Sequence, residues 1–542
     1  MIFTAFCRNC RKKDGRNEDK MKRNTSHTIK RAQRFPVILI GEGLLVGAVG
    51  GLIVLLYRIA LTCAGKWLGE ALAFIKGNPL RIAGWFAVLM LLAVLVGKLI
   101  KWEPMISGSG IPQVEGEILG KLNQNWLKVL PAKFAGGFLC LFGGLSLGRE
   151  GPSIQLGVMS GQGISRILSR GKTEERYLMT CGASAGLAAA FHAPLAGVMF
   201  ALEELHKGFS TSLLISVMTA SVTADYISSH IMGLDPVFRF QLEQTLPQNY
   251  YWMILVLGVI LGLMGALYNK VMLKAQELYK RPKFLNETTR LMIAFSAAGV
   301  LGLCMPSVLG SGGDLIVALT DKEMVLKVAI ITFLVKFLFS AVSFGSGAPG
   351  GIFFPLLILG AMVGGIFSMT GTEIFGLDPM YMNNFVLLAM AGFFTAIVRA
   401  PITGIILLFE MSGSVSQMLS LALVSVTAYV TATLVRSEPI YESLLANLLQ
   451  REKEEEQPVY AGGQKVLSEF VIMGGSALEN RTVMEIDLPD NCLLVAVDRG
   501  GKEFIPKGKT CLMAGDKLTV MADERDAGYV HDKMKNLCYT SF

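Results

Sequence analysis

Apolar stretches recur along most of the chain, at about 36–60, 82–100, 133–147, 177–203, 211–232, 250–275, 288–304, 325–344, 353–370, 384–411 and 415–435. Their continuity predicts membrane helices, because roughly 20 apolar residues are needed to cross the hydrocarbon core of a bilayer. Several stretches fall short of that length, and many are interrupted by Gly and Pro. Broken helices at membrane depth persist only where their freed backbone groups face protein or a wet cavity. The pattern therefore predicts a transporter or channel rather than a plain bundle. Beyond residue 450 the period changes: Cys492 to Val497 and Lys517 to Met521 read as short strands, and Arg499-Gly-Gly501 as a hairpin turn.

Composition divides the same chain into three parts. Of 542 residues, 52% are hydrophobic and 17% charged, against roughly 25% charged in a soluble domain. This excludes a disordered protein and argues against an ordinary soluble enzyme. Residues 1–34 hold 11 Lys/Arg and 3 Asp/Glu, so the entire net charge of +8 sits in this tail. Residues 35–450 carry only 50 charged side chains, whereas 451–542, with 12 basic and 16 acidic residues, is as charged as a soluble module. A basic tail (1–34), a membrane block (35–450) and a C-terminal domain (463–542) are expected. The tail precedes the apolar run that begins at Phe35, so the positive-inside rule puts it in the cytosol, where it is suited to anionic lipid rather than nucleic acid. No apolar core follows the N-terminal charges closely enough for a signal peptide. The nine cysteines show no secretory framework and read as reduced thiols. Cys7 and Cys10 form a C-x-x-C pair with only His27 nearby; a zinc site needs two further ligands, so no metal and no cofactor are expected.

An internal repeat organises the membrane block. Gly148-Arg-Glu-Gly-Pro152, followed by Gly157, shares its spacing with Gly351-Ile-Phe-Phe-Pro355, followed by Gly360, at an offset of 203 residues. Ala193-Pro-Leu-Ala-Gly197, leading to Glu203, matches Ala400-Pro-Ile-Thr-Gly404, leading to Glu410, at an offset of 207. Residues 35–235 and 250–450 thus read as duplicated halves. Interrupted segments at corresponding places in two halves point to a substrate site near the membrane midplane.

The candidate chemistry lies in three Gly-flanked stretches: Gly108-Ser-Gly-Ile-Pro112, Gly148-Arg-Glu-Gly-Pro152, and Gly347 to Pro355. Each reads as a loop entering a helix, with Pro near the first turn where its missing N–H costs nothing. Helix N-termini offer free N–H donors and partial positive charge, a ready anion site. Close helix packing is the competing use of such glycines. None is a nucleotide P-loop, since no G-K-[ST] follows. Glu150 is harder to read as packing, because an ionisable group in an apolar region is expensive and usually functional. Deprotonated, its carboxylate can take an anion's place at the helix start; protonated, it leaves. One of Glu203 and Glu204, at the end of an apolar run, is expected to face inward; the alternative is a helix end snorkelling to water.

In this order, G-S-G-I-P, G-R-E-G-P and G-x-F-x-P, with Ala193-Pro-Leu-Ala-Gly197 and Glu203-Glu204 between them and Arg399-Ala-Pro-Ile-Thr-Gly404 to Met411 after them, resemble the CLC family of chloride channels and chloride/proton antiporters. The resemblance covers roughly 35–450. It implies an all-α polytopic membrane domain, a homodimer in which each subunit is an inverted repeat of tilted and partial helices with its own anion path. It implies that the Ser109 and Tyr441 hydroxyls and the backbone amides of Ile352 and Phe353 bind chloride, that Glu150 is the external gate and proton carrier, and that Glu204 passes protons internally. Channel members generally lack that inner acid, so Glu204 tilts the expectation toward antiport, with a passive gated channel as the alternative. Ser109 tilts it toward chloride. His192 departs from the family's usual Asn and is read as a packing or hydrogen-bonding residue.

Arg481 to Pro489, Asp498-Arg-Gly-Gly501, Ile505 to Thr510 and Ala514-Gly-Asp-Lys-Leu518 resemble the RCK C-terminal (TrkA-C) domain. The resemblance implies a small cytosolic α+β domain that pairs and binds a small ligand or serves dimerisation alone. The expected activity is exchange of chloride for protons across a prokaryotic cell membrane, with both termini cytosolic and no enzyme chemistry, since the 5 His do not pair at H-x-x-x-H spacing.

Overall fold

The structure, a computed structural model, describes residues 3–233, 246–282, 285–320, 324–413, 417–455, 465–489, 492–500, 502–523 and 526–539, with side chains described within these spans from 37 to 450 and from 466 onward. Cys7, Cys10 and His27 therefore lie outside the described side chains. The first half contains helices α1 (Phe3–Ile75), α2 (Pro79–Trp102), α3 (Ile111–Ile118), α4 (Trp126–Phe142), α5 (Glu150–Ile167), α6 (Lys172–Phe191), α7 (Pro194–Phe200) and α8 (Thr211–Met232). The second half contains α9 (Tyr251–Lys280), α10 (Glu287–Cys304), α11 (Gly313–Thr320), α12 (Leu326–Gly345), α13 (Phe353–Phe375), α14 (Met382–Val398), α15 (Pro401–Ser412), α16 (Met418–Leu434) and α17 (Ile440–Glu455). Among the described residues, 7 helices are long and apolar enough to cross a membrane, from Val37–Ile75 to Pro379–Val398.

Local chemistry sets the helix ends. Asn78 and Asn125 accept hydrogen bonds from Leu80 N (3.0 Å) and Leu127 N (3.1 Å), capping α2 and α4. The expected apolar run 177–203 is two helices, because His192 takes φ 54° and Pro194 follows, and a π-helical turn then spans Ala201–His206. The run 384–411 breaks in the same way, at Arg399 (φ 73°) and Pro401. A residue before Pro is biased away from the helical region, and Pro cannot donate to the preceding turn.

Helices pack through seams where backbone meets backbone. A Cβ on Gly157 would lie 2.1 Å from the Gly182 carbonyl oxygen, and one on Gly182 would lie 2.1 Å from that of Gly157, so α5 and α6 touch along bare glycines. Small residues at such interfaces replace the hydrophobic drive that lipid removes. In the second half, a Cβ on Gly364 would meet the Phe385 carbonyl oxygen at 2.4 Å, joining α13 to α14. The halves are thus built alike. α5 is buried from Glu150 to Ser165 although it is rich in Gly, Ser and Gln, so it lies inside the protein and not against lipid.

The C-terminal domain is a four-stranded sheet of order β1-β4-β2-β3, formed by β1 (Lys465–Val471), β2 (Cys492–Arg499), β3 (Lys502–Phe504) and β4 (Lys517–Asp523), with α18 (Ala527–Tyr539) packed on β1. All three pairings are antiparallel. Arg499 pairs with Lys502, so the hairpin lies where the Arg-Gly-Gly sequence puts it, with Gly500 at φ 60°. Phe470, Val497, Leu518, Val520 and Met534 form its core. The domain contacts the membrane part through Lys121 Nζ, which donates to Asp532 at 2.9 and 3.0 Å.

Candidate functional site

The three Gly-flanked stretches meet at one place. Gly148 N donates to Gly351 O (2.6 Å) and Gly351 N to Gly148 O (2.8 Å), an antiparallel bridge between the two halves. Gly108 N donates to Gly347 O (3.2 Å), Gly350 N to Gly108 O (3.0 Å), and Ser107 Oγ to Gly347 O (2.9 Å). Side chains would not fit in this weave: a Cβ on Gly151 would lie 2.5 Å from both the carbonyl and hydroxyl oxygens of Ser109, and one on Gly351 would lie 3.1 Å from Gly151 N. The glycines thus permit the close approach of three helix starts, α3, α5 and α13.

A buried cation holds the first loop. Lys133, fully buried on α4, donates to Ile106 O (2.8 Å) and Gly108 O (2.8 Å). In the second half Lys336 on α12, equally buried, donates to Val308 O (2.9 Å) and Gly310 O (2.8 Å). A charge at this depth is tolerable only with such partners. The pair reveals a repeat that the sequence reading missed: Gly108-Ser-Gly110 recurs as Gly310-Ser-Gly312, at an offset of 202 residues. The signal was legible as a third match beside the two at 203 and 207.

Of the sequence-predicted residues, Glu150 opens α5 and is 0% exposed, with Arg149 Nε at 3.8 Å, and both of its carboxylate oxygens are buried without a hydrogen-bond partner among the described residues. Ser109 immediately precedes the N-cap of α3, and its hydroxyl is buried without a hydrogen-bond partner among the described residues. Ile352 is the N-cap of α13 and Phe353 its first residue, both buried. Phe191, Phe200 and Phe394 surround the Phe353 ring at centroid distances of 5.5, 6.1 and 4.9 Å. The arrangement offers an anion N–H and O–H donors inside an apolar jacket.

Tyr441, at the start of α17, is fully buried with its hydroxyl unpartnered among the described residues, and it lies within electrostatic reach of both Glu150 and Glu204. The structure thus gathers Ser109, Glu150, Ile352 and Phe353 around the loops, with Tyr441 within electrostatic reach of both Glu150 and Glu204. Beside Tyr441 stands Tyr268 of α9, buried with an unpartnered hydroxyl and wedged edge-on between Phe337 and Phe393. Sequence reading passed over it, because a Tyr in an apolar helix looks like core.

Glu203 and Glu204 part company in the π-turn. Glu203 accepts from Ile402 N (3.3 Å), Thr403 N (2.8 Å) and Thr403 Oγ1 (2.7 Å), capping α15. Glu410 does the same for α7, accepting from Leu195 N (2.9 Å) and Ala196 N (2.7 Å). Glu204 is 6% exposed and lies near Lys207, whose Nζ donates to Glu115 (2.7 Å) and Glu442 (2.5 Å). His192 bonds to Arg58 through Nε2 (2.7 Å) and to Asp225 and Ser229 through Nδ1 (3.2 and 3.1 Å), which tethers α1, α6 and α8 to one another.

Comparison with known proteins covers the same ground. The family described as voltage gated chloride channel matches residues 88–433, and the TrkA-C domain matches residues 467–535. The chain is 33% identical over 432 residues to the H(+)/Cl(-) exchange transporter ClcA of Vibrio vulnificus (strain YJ016), covering 78% of this chain and 92% of that one. It is 31% identical to the ClcA of Citrobacter koseri, over 78% of this chain and 91% of the relative. Among solved structures, a slow cyanobacterial Cl-/H+ antiporter superposes with TM-score 0.73 at 30% identity, covering 77% of this chain and 99% of the other. A CLC-type fluoride/proton antiporter shares the fold at TM-score 0.61 and 22% identity, over 75% and 97% of the two chains.

Proposed function

Because the chain belongs to the voltage gated chloride channel (CLC) family, as a multi-span membrane protein with a C-terminal TrkA-C domain, we propose that it is a secondary active antiporter that exchanges chloride for protons. The observation that carries this reading is Glu150. Its carboxylate, buried without a hydrogen-bond partner among the described residues, sits at the start of α5, one residue from the glycine that packs on Ser109. A carboxylate there competes with chloride for the same donors.

In this reading chloride is held by the hydroxyls of Ser109 and Tyr441 and the amides of Ile352 and Phe353, with Lys133 fixing the Ser109 loop. Ionised Glu150 fills the path as the external gate. A proton relayed from the inner side by Glu204 neutralises it, the carboxyl swings away and chloride passes. Loss of the proton to the far side restores the block. Coupling follows because one carboxyl group serves both ions, and no covalent chemistry is involved, so the protein acts as a transporter and not as an enzyme. The protein works as a homodimer in a cell membrane, with both termini cytosolic, a basic tail at 1–34, a transport domain at 35–450 and a regulatory domain at 463–542.

The test is flux in reconstituted vesicles. An imposed chloride gradient drives protons uphill in the native protein. Glu150→Gln and Glu204→Gln each keep chloride movement and lose the coupled proton movement. Chloride flux without uphill protons in the native protein would instead make it a passive channel, and unchanged proton coupling in either variant would remove that glutamate from its role.

A further inference from the structure

One ammonium beside the inner glutamate is shared by more carboxylates than it can neutralise. Lys207 closes the π-turn after α7 at φ 53°, with its side chain only 18% exposed. Its Nζ donates to Glu115 of α3 (2.7 Å) and to Glu442 of α17 (2.5 Å). Glu204, on the same turn, lies within electrostatic reach of that ammonium and of both partner carboxylates. Glu204 Oε1 and Glu115 Oε2 are buried without a hydrogen-bond partner among the described residues, whereas the Glu442 side chain is 44% exposed. The surrounding groups are otherwise engaged. Glu203 caps α15. Arg399, just past α14, donates to the carbonyls of Tyr429 and Ser437 and to the Thr433 hydroxyl. His206 pairs with Thr180 of α6 at 3.0 Å. Tyr441, within reach of Glu204, brings a neutral hydroxyl. Lys121 and Lys535 act on Glu442 from farther off. In the cleft between the membrane part and the C-terminal domain, Lys207 is joined by Arg176 of α6 and by His531 and Lys535 of α18.

Buried carboxylates that neighbour one another resist ionising together, and a nearby cation relieves that resistance. With one ammonium for Glu115, Glu204 and Glu442, a proton on Glu204 lowers the repulsion and its departure restores it. We propose that Lys207 is a positioning residue for the proton path, whose single ammonium, divided among Glu115, Glu442 and Glu204, lets the inner glutamate release a proton as well as accept one. The inference rests on the antiport reading and deepens it. The ammonium also spans the elements that carry the other site residues, since Glu115 lies on the helix that begins after Ser109 and Glu442 follows Tyr441. A merely structural tie between α3 and α17 is therefore the alternative that the experiment must separate.

The test is flux in vesicles holding the full-length protein, with pH varied on the side of the C-terminal domain and protons followed against an imposed chloride gradient. In Lys207→Met the carboxylates repel one another unrelieved, so the proton is held more tightly. The pH above which coupled proton movement falls to half is expected to rise by about one unit or more, and Lys207→Arg to restore the native midpoint. Glu442→Gln removes a carboxylate that competes for the ammonium and is expected to move the midpoint the other way, downward. Chloride affinity, measured by calorimetry on the purified protein, is expected to stay within about two-fold in Lys207→Met. An unmoved midpoint in Lys207→Met, or one moved equally by Lys207→Arg, would overturn the sharing of charge. An upward shift in Glu442→Gln would do the same, and that half-exposed position keeps the test open should Lys207→Met fail to fold. Weakened chloride binding at an unmoved midpoint would make Lys207 a structural tie instead. Native protein without uphill proton movement would overturn the antiport reading and this inference together, whereas native coupling with unmoved midpoints in the variants would overturn this inference alone.

Discussion

Gly151 illustrates how little room the three Gly-flanked loops leave. A methyl group there would press on the Ser109 carbonyl and hydroxyl oxygens at 2.5 Å, and backbone on one side and the loop tethered by Lys133 on the other allow no easy retreat. Overpacking of this kind costs about 1–3 kcal/mol. Gly151→Ala should therefore displace Ser109 and weaken chloride binding by about ten-fold or more, measured by calorimetry on the purified protein. Gly41, with nothing within 4 Å of its built Cβ, is the control and should tolerate Ala. At this scale the sequence was informative about Glu150 and Ser109, since a carboxylate and a hydroxyl among glycines and apolar residues have few other uses. It was silent about Lys133 and Lys336. A lone Lys in an apolar run reads as a snorkelling end, and only the fold brings two carbonyls to each ammonium.

Helices α7 and α15 are short, and each begins at a Pro with its next amides capped by a glutamate from the end of the other. Glu203 serves Ile402 and Thr403, and Glu410 serves Leu195 and Ala196. Charge-assisted caps are worth about 1–2 kcal/mol. Glu203→Gln and Glu410→Gln should each lower stability by about 1 kcal/mol, read as similar falls in melting temperature in detergent. A large fall for one and none for the other would contradict the exchange. Sequence alone had paired these two residues by spacing, without revealing that each caps the other's helix. It read α3 and α5 only as helix starts after Gly-flanked loops, without their extent, and passed over α11, for a different reason. The buried face of α5 is made of Gly, Ser and Gln, which packs well inside protein but carries none of the apolar periodicity by which helices are found.

For the whole molecule, the membrane helices and the small C-terminal domain were visible in charge density, and the strands and hairpin of the last part in their alternation. The way the parts meet was not, because the cleft joins residues of α6 and the π-turn to residues more than 250 positions later. His531 reports on that meeting. Burial holds its imidazole neutral, lowering its pKa from 6.5 to about 4, with Lys121, Lys535 and Arg176 adding to the effect and Asp532 opposing it. When the region opens, the ring regains its ordinary affinity for protons, so the open state binds more protons between those two values. The packed state should be fully favoured above about pH 6.5 and lose stability as pH falls toward about 4. Protection factors of amides in β1 and α18, that is, exchange corrected for its intrinsic pH dependence, should fall over that range, and His531→Gln should flatten the dependence. A protection factor that ignores pH in the native protein would contradict it.

The crossed caps also bear on how the chain is made. Glu203 leaves the ribosome 199 residues before the first amide it is to cap, and Gly148 waits as long for Gly351. The first half inserted alone therefore holds a carboxylate and loop amides whose partners have not yet been translated. Half the protein is not half a transporter: the pore is closed into shape by the last third of synthesis, and a truncated product is left with raw polar ends in the membrane for quality control to find.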